Sequence, residues 1–183
     1  MVGAAESLRA ERPQAAHILV MGVAGTGKSV IASRLAAARG GIFIEADDHH
    51  SRENVERMRR GIGLTDSDRW PWLAAVAEAA LGAKGQPVII ACSALKRSYR
   101  DYLRERIGTF PILYLTGTPV LIGERLAHRQ SHFASGSLLE SQLQTLEPPA
   151  EDEDVVHLDI RLPPDDILAD ALARLVGRCM ARG

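Results

Sequence analysis

Eight residues, Gly22-Val23-Ala24-Gly25-Thr26-Gly27-Lys28-Ser29, follow a short apolar run, Ile18 to Met21, and open a stretch with helical spacing, Lys28 to Arg39. They match GxxxxGK[ST] in full. No other feature constrains the fold as strongly, because such a loop works only between a buried strand and a helix N-terminus. Its glycines let backbone N–H groups turn toward a phosphate, and the helix adds the positive end of its dipole. Lys28 is placed to reach β- and γ-phosphate oxygens and Ser29 to hold Mg²⁺. The segment therefore predicts a nucleoside triphosphate site.

The rest of the chain repeats this alternation. "GIFIEADD" reads as a second strand ending in acids, "QPVIIACSAL" and "FPILYLTG" as a third and fourth, and "DVVHLDI" as a fifth. Helical patterns cover 52–60, 71–83, 96–107, 119–129, 138–146 and 165–179. Strands alternating with helices predict a P-loop NTPase fold of class α/β, a three-layer α/β/α sandwich around a five-stranded parallel sheet. Two intervals exceed simple crossovers, about 48–84 and about 130–153. In a compact α/β unit, insertions at strand ends are where substrate sites and lids are built. The expected organisation is a flexible tail over 1–16 and one domain over 17–183, with a substrate-binding insertion and a lid.

Composition narrows the partners. Acids and bases nearly cancel, giving a formal net charge of −1, so no basic face for nucleic acid or an anionic membrane is implied. Cys92 and Cys179 are far apart with no CxxC spacing, which argues against a disulfide framework or a zinc site and suits a reducing cytoplasm. No apolar run approaches the roughly 20 residues that span a bilayer.

Three classes compete for the γ-phosphate: a GTPase switch, a motor-type ATPase and a small-molecule kinase. The NKxD and DxxG elements of a GTPase do not occur. A motor ATPase would carry an acid at the end of its third strand, but that strand ends "IIACSAL". The acids lie instead at the end of the second strand, in Glu45-Ala46-Asp47-Asp48. Strand periodicity puts Glu45 and Asp47 on one face. With the second strand near the first, both would point at the phosphate loop, one for metal-bound water and the other for an acceptor hydroxyl.

Further along, Asp68 is expected to cap a helix with Pro71 early in it and Trp70 and Trp72 packing, while Asp66, Asp68 and Arg69 are candidates for a substrate clamp. Ser93, Lys96, Arg97 and Arg100 collect at a helix N-terminus, where cations oppose the dipole unless anions, water or substrate compensate. Arg125 and Arg129 stand four apart on one helical face, suited to stacking on a base and clamping phosphoryl oxygens.

These segments together resemble the small P-loop gluconokinases, within the shikimate and nucleoside monophosphate kinase-like group. The likeness runs from about residue 17 to 159 through "VMGVAGTGKS", "DDHHSREN" with "VERM", "LTDSDRWPWL", "CSALKRSYRDYLR", and "ERLAHRQSHF" with "LQTLEPP". It implies ATP-dependent phosphorylation of D-gluconate to 6-phospho-D-gluconate by a cytoplasmic, often homodimeric enzyme using ATP and Mg²⁺ and feeding the pentose phosphate route. Carried over by motif, Asp47 looks like the carboxylate near the acceptor hydroxyl, Lys28 and Ser29 like the phosphate and Mg²⁺ residues, and Arg125 and Arg129 like the adenine-stacking and phosphate-clamping arginines. His50, Asn54, Arg69, Lys96 and Arg100 are the expected gluconate contacts. Glu45 stands where the family usually has Asp, and His49, Ser51 and Gly63 also depart from its pattern. The expected catalytic set is Lys28, Asp47 and Arg129, with Glu45 or Asp47 reaching the metal through water. A kinase for another small hydroxy acid such as shikimate is the alternative, followed by a nucleotide-binding regulator without an acceptor.

Overall fold

The computed structural model describes residues 17–60, 62–83, 85–128 and 135–181. Five strands alternate with helices: β1 (His17–Met21), α1 (Lys28–Arg39), β2 (Ile42–Glu45), α2 (Arg52–Arg59), α3 (Asp66–Gly82), β3 (Val88–Ala91), α4 (Arg97–Ile107), β4 (Ile112–Thr116), α5 (Pro119–Ala127), α6 (Ser135–Thr145), β5 (Val155–Asp159) and α7 (Pro164–Ala181). All strand pairs are parallel, in the order β2-β3-β1-β4-β5.

The alternation of side chains along these apolar strands explains why helices cover both faces. Ile18, Val20, Ile89, Ala91, Leu113 and Leu115 pack on one face with Ile31 and Leu35 of α1 and Ile167 and Leu175 of α7. Leu19, Met21, Val88, Ile90 and Ile112 pack on the other with Leu73 and Val76 of α3 and Tyr99 and Leu103 of α4. β1 lies at the centre; the chain passes from it to β2 and β3 on one side, then crosses to β4 and β5 on the other. Such a reversal opens a crevice at the carboxyl ends of the strands, where the phosphate loop and the loops after β2 and β3 all lie.

The sheet corrects two expectations. β2 is separated from β1 by β3, with Glu45 paired to Ala91 and Ala91 paired to Val20. The second strand also ends at Glu45, and Asp47 belongs to a 3-10 turn, Ala46–His49, so the two acids do not share a strand face. The helix after the first insertion starts at Asp66, five residues before the expected Pro71. Thr65, not Asp68, is its N-cap: the Thr65 side chain accepts from the Asp68 N–H while Asp68 accepts from the Thr65 N–H. That reciprocal capping supports a first turn that Pro71 alone would not define.

Candidate active site

Gly25 and Gly27 adopt φ of +84° and +95°, left-handed values at which a side chain is strained. A Cβ on Gly25 would also lie 2.7 Å from Leu126 Cγ of α5. Inside the loop, Thr26 Oγ1 donates to the Val23 carbonyl at 2.8 Å and Lys28 Nζ donates to the same oxygen at 3.2 Å. Gly27 caps α1 without any side-chain hydrogen bond, and the first turn holds no acid. A helix N-terminus without a side-chain cap, beside a lysine, fits the phosphates of a nucleotide, and the exposed Ser29 hydroxyl in that turn fits a Mg²⁺ ligand.

Across the crevice, the turn carrying the exposed Asp47 is held from below. Trp72 Nε1 donates to the Ala46 carbonyl at 2.6 Å, and the His50 ring stacks on Trp72 at 4.4 Å and 13°. The buried Cys92, just beyond β3, reports where the charges converge. Burial pushes its thiol up to about 12, Asp47 and Glu45 add to the rise, and Lys28 opposes it. The charges of Asp47, Glu45 and Lys28 thus all act on one thiol at the end of the central sheet.

Burial also holds the His50 imidazole below its usual value, with Asp47 opposing and Arg69 assisting, so the ring is neutral near pH 7. Its Nδ1 is buried without a hydrogen-bond partner among the described residues. Asn54 is buried and donates to the Asp68 carbonyl at 3.0 Å, bracing α2 against α3.

The cations after β3 are compensated individually. Lys96 Nζ reaches both Asp66 oxygens at 2.9 and 2.7 Å, Arg69 approaches Asp66 at 3.5 Å, and the Tyr99 hydroxyl donates to Asp66 while accepting from Arg69. Hydrogen bonds from Lys96 and Tyr99 hold the Asp66 carboxyl below the usual carboxylate range. Arg69 and Lys96 thus meet in one partly exposed cluster, two positive groups sharing one carboxylate, while Asp68 pairs with Arg57 at 3.0 Å.

Arg100 is the exception and corrects the expectation of a gluconate contact. Its side chain is 0% exposed and forms a two-bond ion pair with Glu153, 2.7 Å on each side. Its remaining nitrogen donates to the Ala94, Leu95 and Glu147 carbonyls. All its directions are taken by protein, so Arg100 ties the chain after α6 to the loop after β3.

Burial works against charge on Glu153, but hydrogen bonds from Arg100, the Ala150 N–H and Arg104 outweigh it and hold the carboxyl at about 2, against 4.5 ordinarily. A carboxyl lowered by folding stabilises the fold fully above its unfolded pKa and loses that contribution as pH falls through the folded one. Stability from this group should hold above about pH 4.5 and decline toward pH 2. Urea melts across that range check it, with a Glu153→Gln variant expected to show a weaker decline.

Arg125 Nη2 donates to the Ile160 carbonyl at 2.5 Å, which sets it against the loop after β5. Arg129, the tail over 1–16, the 130–134 part of the expected lid and the Cys179 side chain lie outside the described residues. Tyr99 and Gln142, which reach the two halves of the crevice, were not among the expected residues. Tyr99 follows Lys96 by three positions, one helical step that points both at Asp66. Gln142 stands among leucines on one helical face, but its partner, a backbone N–H 118 residues away, leaves no local signal.

A phosphate loop at the switch point of a parallel sheet, with acids and cations on the neighbouring loops, defines a P-loop kinase of small molecules. Residues 18–149 match the AAA domain family. The chain is 38% identical over 177 residues to a probable gluconokinase of Mus musculus, covering 86% of this chain and 96% of that one. It is 41% identical over 160 residues to the thermoresistant gluconokinase of Escherichia coli K12, covering 85% and 91%. A crystal structure of a gluconokinase from Sinorhizobium meliloti 1021 superposes with a TM-score of 0.83 at 44% identity, covering 92% and 98%. The chain belongs to the gluconokinase family.

Proposed function

We propose that the protein transfers the γ-phosphoryl group of ATP in line to a primary hydroxyl of D-gluconate, giving 6-phospho-D-gluconate. The observation that supports this reading is the phosphate loop itself, with Lys28 Nζ 3.2 Å from the Val23 carbonyl at an α1 N-terminus that has no side-chain cap, and with the charges of Asp47, Glu45 and Lys28 all acting on the buried Cys92 thiol. Family membership supplies the acceptor. The loop from Gly22 through Ser29 cradles the nucleotide phosphates through backbone N–H groups. Lys28 stabilises charge that develops on the moving phosphoryl group. Mg²⁺, when bound, neutralises phosphate charge; Ser29 would hold it, with Glu45 or Asp47 acting through water.

Asp47 orients the acceptor hydroxyl and receives its proton. Arg69 and Lys96 balance the substrate carboxylate, while His50 and Asn54 address its hydroxyls. Arg125 serves the adenine side by its place against the loop after β5, and Arg129 the phosphoryl oxygens by motif. The cytoplasm is the proposed compartment, and a homodimer the proposed state, both on the family resemblance. Among the described residues no helix is long and apolar enough to cross a membrane.

Asp47→Asn keeps the shape of the turn and removes the proton acceptor. It should lower kcat by about a hundredfold while nucleotide affinity changes little. Steady-state kinetics beside nucleotide titration check this, and an unchanged kcat would contradict the role given to Asp47.

A further inference from the structure

Helix α6 presents Leu139, Gln142 and Leu143 at i, i+3 and i+4, which is one face, and Leu146 follows just past its end. Leu139 is buried in the core beside Ile122 and Leu126 of α5, and Leu143 and Leu146 pack against the same cluster. Gln142 is the polar residue in this apolar stripe. Its Oε1 accepts the Ala24 N–H at 2.6 Å, a partly buried bond between residues 118 positions apart.

The chemistry fixes which end of the amide faces the loop, because only the oxygen of a carboxamide accepts. The other side of the same peptide is also occupied: the Val23 carbonyl accepts from Lys28 Nζ at 3.2 Å and from Thr26 Oγ1 at 2.8 Å. The peptide is trans, so its C=O and N–H point in opposite directions. Gln142 and Lys28 therefore hold one rigid plane from its two edges. An acceptor on the N–H also polarises the C=O and strengthens its bond to the ammonium.

We propose that Gln142 is a positioning residue for phosphoryl transfer: it fixes the Val23–Ala24 peptide, and through it the aim of the Lys28 ammonium. The inference rests on the kinase reading above. It gives α6 a role in the chemistry that none of its own side chains performs directly. Removing the acceptor frees the peptide to rotate, and the ammonium loses a fixed carbonyl.

The test uses the full chain with Gln142→Leu and Gln142→Glu. The leucine variant abolishes the acceptor and suits the apolar stripe. It should lower kcat about tenfold, weaken MgADP binding about threefold, and leave the KM for D-gluconate and the Tm near wild type. The glutamate variant still offers an oxygen to the Ala24 N–H. It should recover kcat to within about threefold of wild type, with a raised KM for MgATP because its charge repels phosphate. Wild-type kcat in Gln142→Leu would overturn the proposal, as would equal loss of kcat in both variants or a lowered Tm with unchanged kcat. Failure of the wild type to phosphorylate D-gluconate would overturn the kinase reading instead. The MgADP titration then decides this proposal, with equal affinities of wild type and Gln142→Leu counting against it.

Discussion

Lys28→Met is expected to lower kcat by about a thousandfold while leaving the chain folded. The effect is large because transfer of a phosphoryl group asks little covalent chemistry of the protein and much electrostatic stabilisation. In the loop the ammonium is held at 3.2 Å from the Val23 carbonyl, inside the turn proposed to receive the phosphates. Methionine has a similar length and helix propensity to lysine, so α1 keeps its first turn and loses only the charge. Kinetics with saturating MgATP and D-gluconate read the loss, and thermal melts confirm that the fold survives. Normal turnover in this variant would remove the phosphate loop from the mechanism.

Arg100→Met is expected to destabilise the fold by about 3–5 kcal/mol, with a fall in Tm of about 10 °C. Arg100 and Glu153 are 0% and 1% exposed at the side chain, and the variant leaves the carboxylate buried with fewer donors. Arg104 still reaches Glu153 at 3.0 Å, but Arg104 is also shared with Asp101. Adding Glu153→Leu removes the stranded charge, so the double variant should regain part of the lost Tm, as replacement of a buried pair by apolar groups often does. A single variant with wild-type Tm would show that the pair contributes nothing. Because Arg100 also holds the Leu95 and Glu147 carbonyls, the same variant should loosen the loop that carries Lys96.

The phosphate loop, the five strands and the alternating helices were legible because each rests on local chemistry: a glycine pattern, an apolar run, a helical period. Tertiary pairing was not. The acids after β2 were expected to share one strand face beside β1, and they do not. β3 lies between β2 and β1, and Asp47 belongs to a 3-10 turn fixed by Trp72. The cations after β3 likewise read as one basic group, whereas their partners come from distant segments: Asp66 for Lys96, Asp152 for Arg97 and Glu153 for Arg100. No local pattern distinguishes the exposed Lys96 cluster from the buried Arg100. Only the fold separates a partly exposed cluster from a buried side chain that holds the frame. Gln142 was invisible for a related reason, since its partner is a backbone N–H 118 residues away.

The most direct test of the central claim is ADP release by the purified protein with MgATP, comparing D-gluconate, its epimers, shikimate and no acceptor. The account predicts that D-gluconate stimulates release and that its terminal hydroxyl carries the new phosphate. Stimulation by shikimate and not by D-gluconate, or release that ignores every acceptor, would contradict it.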